Sequence, residues 1–274
     1  MKINDKFIIG IDIGGSNVHA VLFRNNKVIK SAKIPTSKKN LKEFLEKLKM
    51  LIDQIILGIG KKEISGIGCG IAGVLDLKRG TVLKSPNLKF LNSFDVKNWL
   101  EEKFKTAVKI DNDARCFLRG EYLFGAGKGY ENLVGITFGT GVGGGIIINE
   151  RMIYGANDSA GELGHMVMDR GKDLEALTVK QARKLKFSKI SVKEFKKNLG
   201  IGFSNIVNVL DPEIIIVGGG AAKIVGKFLP EIKTITNKLI ISSESRKNVK
   251  VLVGKLGEDA GAIGAAALFA VSSK

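Results

Sequence analysis

Phe7-Ile8-Ile9-Gly10-Ile11-Asp12-Ile13-Gly14-Gly15-Ser16-Asn17-Val18-His19-Ala20-Val21-Leu22-Phe23 is the stretch on which the reading of the fold turns. Two short apolar runs, Phe7 to Ile13 and Val18 to Phe23, flank a glycine pair, a pattern that predicts two strands joined by a hairpin turn. A similar frame returns where Leu133-Val134-Gly135-Ile136-Thr137-Phe138 leads into Gly139-Thr140-Gly141-Val142-Gly143-Gly144-Gly145 and Ile146-Ile147-Ile148. That recurrence predicts two related halves. Between the hairpins the spacing predicts helices over Leu41 to Ile56 and Phe94 to Phe104, and strands near Ile64 to Gly70 and Ala107 to Ile110. Beyond the second hairpin it predicts helices over Leu174 to Lys186 and Val192 to Leu210, a strand at Ile214 to Val217, and a last helix from Asp259 to Ala270. Strands alternating with helices indicate an α/β protein. The repeat puts the boundary between a first domain, 1–113, and a second, 114–258, near Asp113, with the helix of 259–274 packing back on the first.

The length of 274 residues agrees with two domains at about 150 residues each. With 44% hydrophobic and 26% charged residues, the composition is that of a folded chain. The net charge is +17, but the basic residues are mostly lysines spread along the whole sequence and interspersed with glutamate, so a solvated surface is expected and nucleic acid is not. Two cysteines, Cys69 and Cys116, cannot build a disulfide framework or a four-cysteine zinc site. No apolar run reaches 18 residues and no signal-peptide pattern precedes the first strand, so a cytoplasmic protein without a membrane partner is expected.

Glycine is over-represented, with 34 residues, and it is clustered. Backbone amides approach a phosphate closely only where side chains are absent, so glycine turns between strands make phosphate cradles. Gly14, Gly15, Ser16 and Asn17 form one candidate, and Gly139, Thr140, Gly141 and Gly143 a second. A third cluster, Gly218-Gly219-Gly220, follows an apolar strand and opens a helix, where an adenine or ribose can come close to the backbone. Asp12 beside the first turn makes sense next to a triphosphate when it orients Mg²⁺ through water. No GxxxxGK[ST] motif occurs, so any phosphate site is built from hairpins and not from a P-loop.

These segments, in this order, resemble the ROK group of sugar kinases and repressors within the actin-like, ribonuclease-H-like ATPases. Ile9 through Ser16 resembles the family's first phosphate motif, Gly139 through Gly145 its second, Asp211 through Gly220 its adenosine motif, and Leu256 through Leu268 its closing helix. The resemblance implies two ribonuclease-H-like α/β domains with the active site in the cleft between them, and ATP with Mg²⁺ as the phosphoryl donor. Ile110-Asp111-Asn112-Asp113-Ala114 resembles the family's Asn-Asp pair, in which Asn112 would bind sugar hydroxyls and Asp113 would be the catalytic base. From its position alone, Asp113 could equally cap the helix that follows. Ala160-Gly161-Glu162-Leu163-Gly164-His165 resembles the segment whose Glu162 and His165 would contact the sugar, Ser85-Pro86-Asn87-Leu88 resembles the sugar-side loop carrying Asn87, and Glu175 resembles a third sugar-binding acid.

The sequence departs from the family at two places. Family members usually bind zinc through this histidine and three cysteines of a CxCGxxGCxE segment; here the segment is missing and Asp173 stands where its last cysteine lies, so no structural zinc is expected. Gly70-Ile71-Ala72-Gly73 has alanine where the family usually has proline. The activity implied is ATP-dependent phosphorylation of a hexose, glucose first, with N-acetylmannosamine, N-acetylglucosamine and fructose as alternatives; a homodimer is compatible with it. Family members that regulate transcription carry a DNA-binding domain before the first phosphate motif. About six residues precede it here, so a sugar-sensing regulator is the lesser expectation. An actin-like ATPase acting on a protein would not need Asn112, Glu162 and His165 together.

Overall fold

A computed structural model describes residues 6–180 and 189–270. In chain order the elements of the first half are β1 (Phe7–Ile13), β2 (Asn17–Arg24), β3 (Lys27–Pro35), α1 (Leu41–Ile55), β4 (Ile64–Ile71), β5 (Val74–Asp76), β6 (Thr81–Lys84), α2 (Val96–Phe104), β7 (Val108–Asn112) and α3 (Asp113–Phe124). There follow β8 (Leu133–Phe138), β9 (Val142–Ile148), β10 (Arg151–Met152), β11 (Val167–Asp169), β12 (Lys172–Asp173), α4 (Lys189–Leu210), β13 (Ile214–Gly218), α5 (Ala222–Lys227), α6 (Leu229–Leu239), α7 (Ser243–Asn248), β14 (Lys250–Val253) and α8 (Ala260–Ala266).

The chain divides into two compact units. One takes the chain up to Gly120, Gly155–Ser159, and the chain from Glu258; the other takes Glu121–Tyr154 and Ala160–Gly257. In the first unit a five-stranded sheet runs β3-β2-β1-β4-β7, and in the second another runs β10-β9-β8-β13-β14. Both are built alike. An antiparallel meander of three strands is continued by two strands parallel to its first member.

In the first unit, α1 starts where the Asn40 side chain accepts the Glu43 N–H at 2.9 Å, satisfying one of the amides left without an intrahelical partner. Phe44, Leu48, Leu51, Ile52 and Ile55 recur at helical spacing and are all buried in one core with Ile9, Ile11 and Ile13 of β1. Cutting such a residue to alanine, Leu48 for instance, costs about 2–5 kcal/mol. Another layer is made by α8, Ala-Gly-Ala-Ile-Gly-Ala-Ala, buried along its whole length. It lies so close to β1 and β4 that a Cβ added at Gly10 would stand 1.9 Å from the Ala262 carbonyl oxygen, and one at Gly68 1.8 Å from that of Ala265. Glycine in these two strands is therefore a packing requirement. The start of α3 groups with this unit for the same reason: Cys116 and Gly120 lie against Gly264 and Ala260 of α8, so the division of the chain falls after Gly120, within the helix that begins at Asp113.

In the second unit β8 and β13 are buried, and Phe195, Leu199, Phe203, Ile206 and Val207 present one apolar stripe of α4 to the core they share. Some elements carry no legible sequence pattern. Strand β3 has no buried residue and its lysines interrupt any alternation, and β14 is only four residues long. The helix expected over Leu174 to Lys186 begins instead as a π-helical turn, Ala176–Lys180, and the rest of that expectation lies outside the described residues.

Candidate active site

In the first unit the parallel strands β1, β4 and β7 end together, with Ile13 beside Ile71 and Ile71 beside Asn112 in register. The carboxyl ends of parallel strands are where α/β sheets bind ligands. Four expected segments meet there. The Gly14–Ser16 turn is closed by Gly14 N–H donating to the Asn17 carbonyl at 3.0 Å, and Thr36 steadies it by donating its hydroxyl to the Gly14 carbonyl at 2.8 Å. Asn87 lies against Gly15, in space a side chain at that position would need, and its own amide is exposed, with no protein partner among the described residues. Ala72 donates its N–H to the Ile13 carbonyl, and the buried Ser85 hydroxyl donates to the Ala72 carbonyl at 2.8 Å, so the loop with alanine in place of proline is tied to the first turn and to the Asn87 loop.

At the end of β7 the two candidate residues separate in role. Asn112 caps α3: its side-chain oxygen accepts from Ala114 N–H at 2.9 Å and Arg115 N–H at 3.2 Å, while its amide nitrogen donates to the Gly73 carbonyl at 3.1 Å. Asp113 accepts from Ala114 N–H through one oxygen. The main capping duty thus falls on Asn112, where position alone had suggested Asp113.

Asp12 is the electrostatic oddity of this unit. No hydrogen bond or ion pair reaches its carboxylate among the described residues, and burial, reinforced by the charge of Asp113, pushes its pKa up to about 8. One of its oxygens stands 2.3 Å from where a Cβ of Gly261 would be, so the start of α8 leaves room for this carboxylate only by having glycine. An acid whose pKa a second acid raises, and whose carboxylate has no compensating partner among the described residues, suits a divalent cation held through water, the chemistry expected of Asp12.

In the second unit β8 and β13 run parallel and end beside each other, Gly218 pairing with Thr137. Their ends bring the second and third glycine clusters to one edge. Gly139 N–H donates to the Gly141 carbonyl at 2.9 Å to close the turn carrying Thr140, and Gly143 follows within β9. Gly219 has φ +80, and Ala221 N–H after it donates to the Phe138 carbonyl at 2.8 Å, fixing Gly218–Gly220 next to that turn.

Glu175 sits beneath the Gly139–Gly141 turn. One carboxylate oxygen accepts from Val142 N–H at 2.8 Å and lies 2.3 Å from where a Cβ of Gly141 would be; the other pairs with Lys180 at 2.8 Å. The pairing in turn holds the Lys180 ammonium above its usual pKa. Both oxygens of the expected sugar-binding acid are thus engaged by the protein. Glu162, by contrast, is exposed, with a carboxylate that meets no protein group among the described residues. His165 is also exposed, and its Nδ1 lies 3.1 Å from Asp173. A carboxylate facing Nδ1 makes that nitrogen the donor and leaves Nε2 to accept from a ligand. Burial pulls upward on the Asp173 carboxyl, but hydrogen bonds from Ala176 N–H and His165 outweigh it and hold it below the usual carboxylate range. Asp173 thereby anchors the histidine.

Sequence reasoning passed over Thr36, Lys180 and Arg115. The Asp111/Arg115 spacing of four was a visible signal for the last; the other two carry none.

Two α/β units with one strand scheme, each presenting a glycine hairpin turn at the carboxyl ends of its parallel strands, define the actin-like ATPase class of folds. The comparisons narrow this. A sequence model of the ROK family matches residues 8–183 and 170–271, and the chain belongs to that family. It is 28% identical over 312 residues to a glucokinase of Halalkalibacterium halodurans, covering 95% of this chain and 94% of that one. It is also 28% identical over 320 residues to a putative xylose repressor of a Caldicellulosiruptor species, covering 97% of this chain and 78% of the repressor. Among solved structures, a ROK family glucokinase from Streptomyces griseus in complex with glucose and AMPPNP superposes with a TM-score of 0.83 at 26% identity, over 96% of this chain and 98% of that one. Among the described residues no helix is long and apolar enough to cross a membrane.

Proposed function

We propose that this chain is an ATP-dependent hexose kinase with Asp113 as its base, converting glucose to glucose 6-phosphate. The observation that carries the reading is the closeness of Asp113, just after β7, to Asp12 near the end of β1, whose carboxylate has no protein partner among the described residues, next to a glycine turn. A base that takes a proton from an alcohol must be held near an anion-stabilising loop, and here both lie at one sheet edge. The glucokinase relatives and the glucose-bound structural neighbour support the same reading.

In the reaction Asp113 accepts the proton of the sugar's 6-hydroxyl as that oxygen bonds to the γ-phosphorus. The bond from the γ-phosphorus to the bridging oxygen breaks and ADP departs. The Gly14–Ser16 turn beside Asp113 offers N–H groups to phosphate oxygens, and in the second unit the Gly139–Gly143 turn and Gly218–Gly220 are the candidates for phosphate and nucleoside. Bound Mg²⁺ would neutralise the triphosphate's charge, with Asp12 holding it through water. In the first unit Asn87 and the remaining amide N–H of Asn112 are the candidates for sugar hydroxyls, and in the second Glu162 and His165 through Nε2.

The test is a coupled ADP-release assay over glucose, fructose, mannose, N-acetylglucosamine and N-acetylmannosamine. Sugar-dependent ADP release greatest with glucose supports the reading, and release greatest with an N-acetylhexosamine or fructose would reassign the substrate. Sugar binding with no ADP release would return the chain to the regulators, of which the xylose repressor relatives are the type.

A further inference from the structure

Asp111, the residue before Asn112, is 1% exposed, and several donors converge on its carboxylate. One carboxylate oxygen accepts from Nε of Arg115 at 2.6 Å and from Asn112 N–H at 2.8 Å; the other accepts from Arg119 at 2.8 Å. Arg115 is itself only 3% exposed, and its guanidinium carries a further contact: Nη1 donates to the carbonyl of Asp158 at 2.8 Å. Asp158 has φ +54, the left-handed region that Asp enters more readily than most non-glycine residues. The loop around it is closed at its base by Ala160 N–H donating to the Tyr154 carbonyl at 2.9 Å, and the chain then runs through Gly161 to Glu162.

A buried guanidinium that already faces a carboxylate needs no backbone carbonyl for its charge. It does need one if its five donors are to be satisfied, and the rigid fork spreads those donors toward two different segments at once. We propose that Arg115 is a positioning residue for the sugar. It clamps the Gly155–Ser159 loop to the β7 end that bears Asn112 and, through Asp111, holds the Asn112 backbone in place. The inference rests on the roles given above to Asn112 and Asp113. Lysine could keep the charge beside Asp111, but with one nitrogen it cannot serve both Asp111 and the Asp158 carbonyl in this geometry.

The experiment compares the wild-type chain with R115K by amide hydrogen exchange and by sugar and ATP affinity, glucose being the probe and calorimetry the readout. In R115K, exchange of the amides between residues 155 and 160 is expected to accelerate about tenfold or more, and glucose affinity to fall about tenfold, while ATP affinity moves much less. Unchanged exchange in the loop, or equal losses for glucose and ATP, overturns the proposal. Should R115K fail to fold, R115Q takes its place. It keeps an N–H donor toward Asp111 but is too short to reach the Asp158 carbonyl, and should loosen the same amides and weaken glucose with the same selectivity; an R115Q loop as protected as wild type overturns the proposal. Loop exchange is read without turnover, so a chain that phosphorylates no sugar overturns the kinase reading while leaving the clamp to be judged by exchange alone.

Discussion

The two glycine hairpin turns sit at equivalent places in two sheets of the same strand scheme, yet each treats its neighbouring acid differently. Beside Gly14–Ser16 the acid is Asp12, with no partner among the described residues and a pKa pushed up to about 8; beneath Gly139–Gly141 it is Glu175, which accepts a backbone N–H and pairs with Lys180. The first turn is steadied by neutral groups, the Thr36 hydroxyl and the Asn87 contact, and the second by a compensated charge. A scaffold can hold a loop in shape with either device. A carboxylate left without a protein partner contributes nothing to the turn's shape and stays available to a cation or a proton.

The comparison can be broken most sharply at Asp113. Asp113→Asn is expected to lower turnover by about 10² or more while leaving the fold and ATP binding in place, the scale of a lost general base. Because Asp113 is also the second cause of the raised Asp12 pKa, the same substitution should move Asp12 back toward ordinary carboxylate values, which carbon-detected NMR titration would show. Near-normal turnover would remove Asp113 from the base role.

Asp12 gives the next effect, in stability. A carboxyl whose folded pKa lies above its unfolded value binds more protons in the native state between the two, so its contribution to stability falls as pH rises from about 4 to about 8 and then levels. Asp12→Asn should flatten that part of the profile and raise the melting temperature at pH 8 relative to wild type, while abolishing or greatly reducing kinase activity. A profile that Asp12→Asn leaves unaltered would mean the acid is compensated after all.

At the second turn the expected change is smaller and falls on a different substrate. Glu175→Ala removes the acceptor for Val142 N–H and the partner of Lys180, so KM for ATP should rise about tenfold, equivalent to about 1.4 kcal/mol, with KM for sugar moving less. The reverse split would give Glu175 to the sugar, as the family resemblance implies. The smallest effect is a null one. Metal analysis should find no stoichiometric zinc, and activity lost to a chelator should return fully on adding Mg²⁺; one tightly held zinc per chain would contradict the anchoring of His165 by Asp173.

How much of this was legible in the sequence depended on how far apart the partners lie along it. The hairpins, the glycine turns and the Asn112-Asp113 strand end follow from rules that act over a few residues, namely alternation, the steric freedom of glycine, and the capping preference of Asn and Asp. Strand β3 escaped because it has no buried residue, and periodicity reports burial rather than hydrogen bonding. Even the local rules left the division of labour at Asn112 and Asp113 open, since either residue can cap a helix; the packed geometry gave Asn112 the cap through Ala114 and Arg115.

The sequence by itself determined the α/β class, the repeated hairpin, the family, and the candidate residues at strand ends. Only the tertiary structure decided which acids are compensated. The hold of Glu175 on Val142, of Arg115 on the Asp158 carbonyl, and the closeness of Asp12 to Asp113 each join residues more than thirty positions apart. The physical reason is that a carboxylate's pKa and its availability to a ligand depend on the solvent and charges within a few ångströms of it, and chain order does not specify which groups those are.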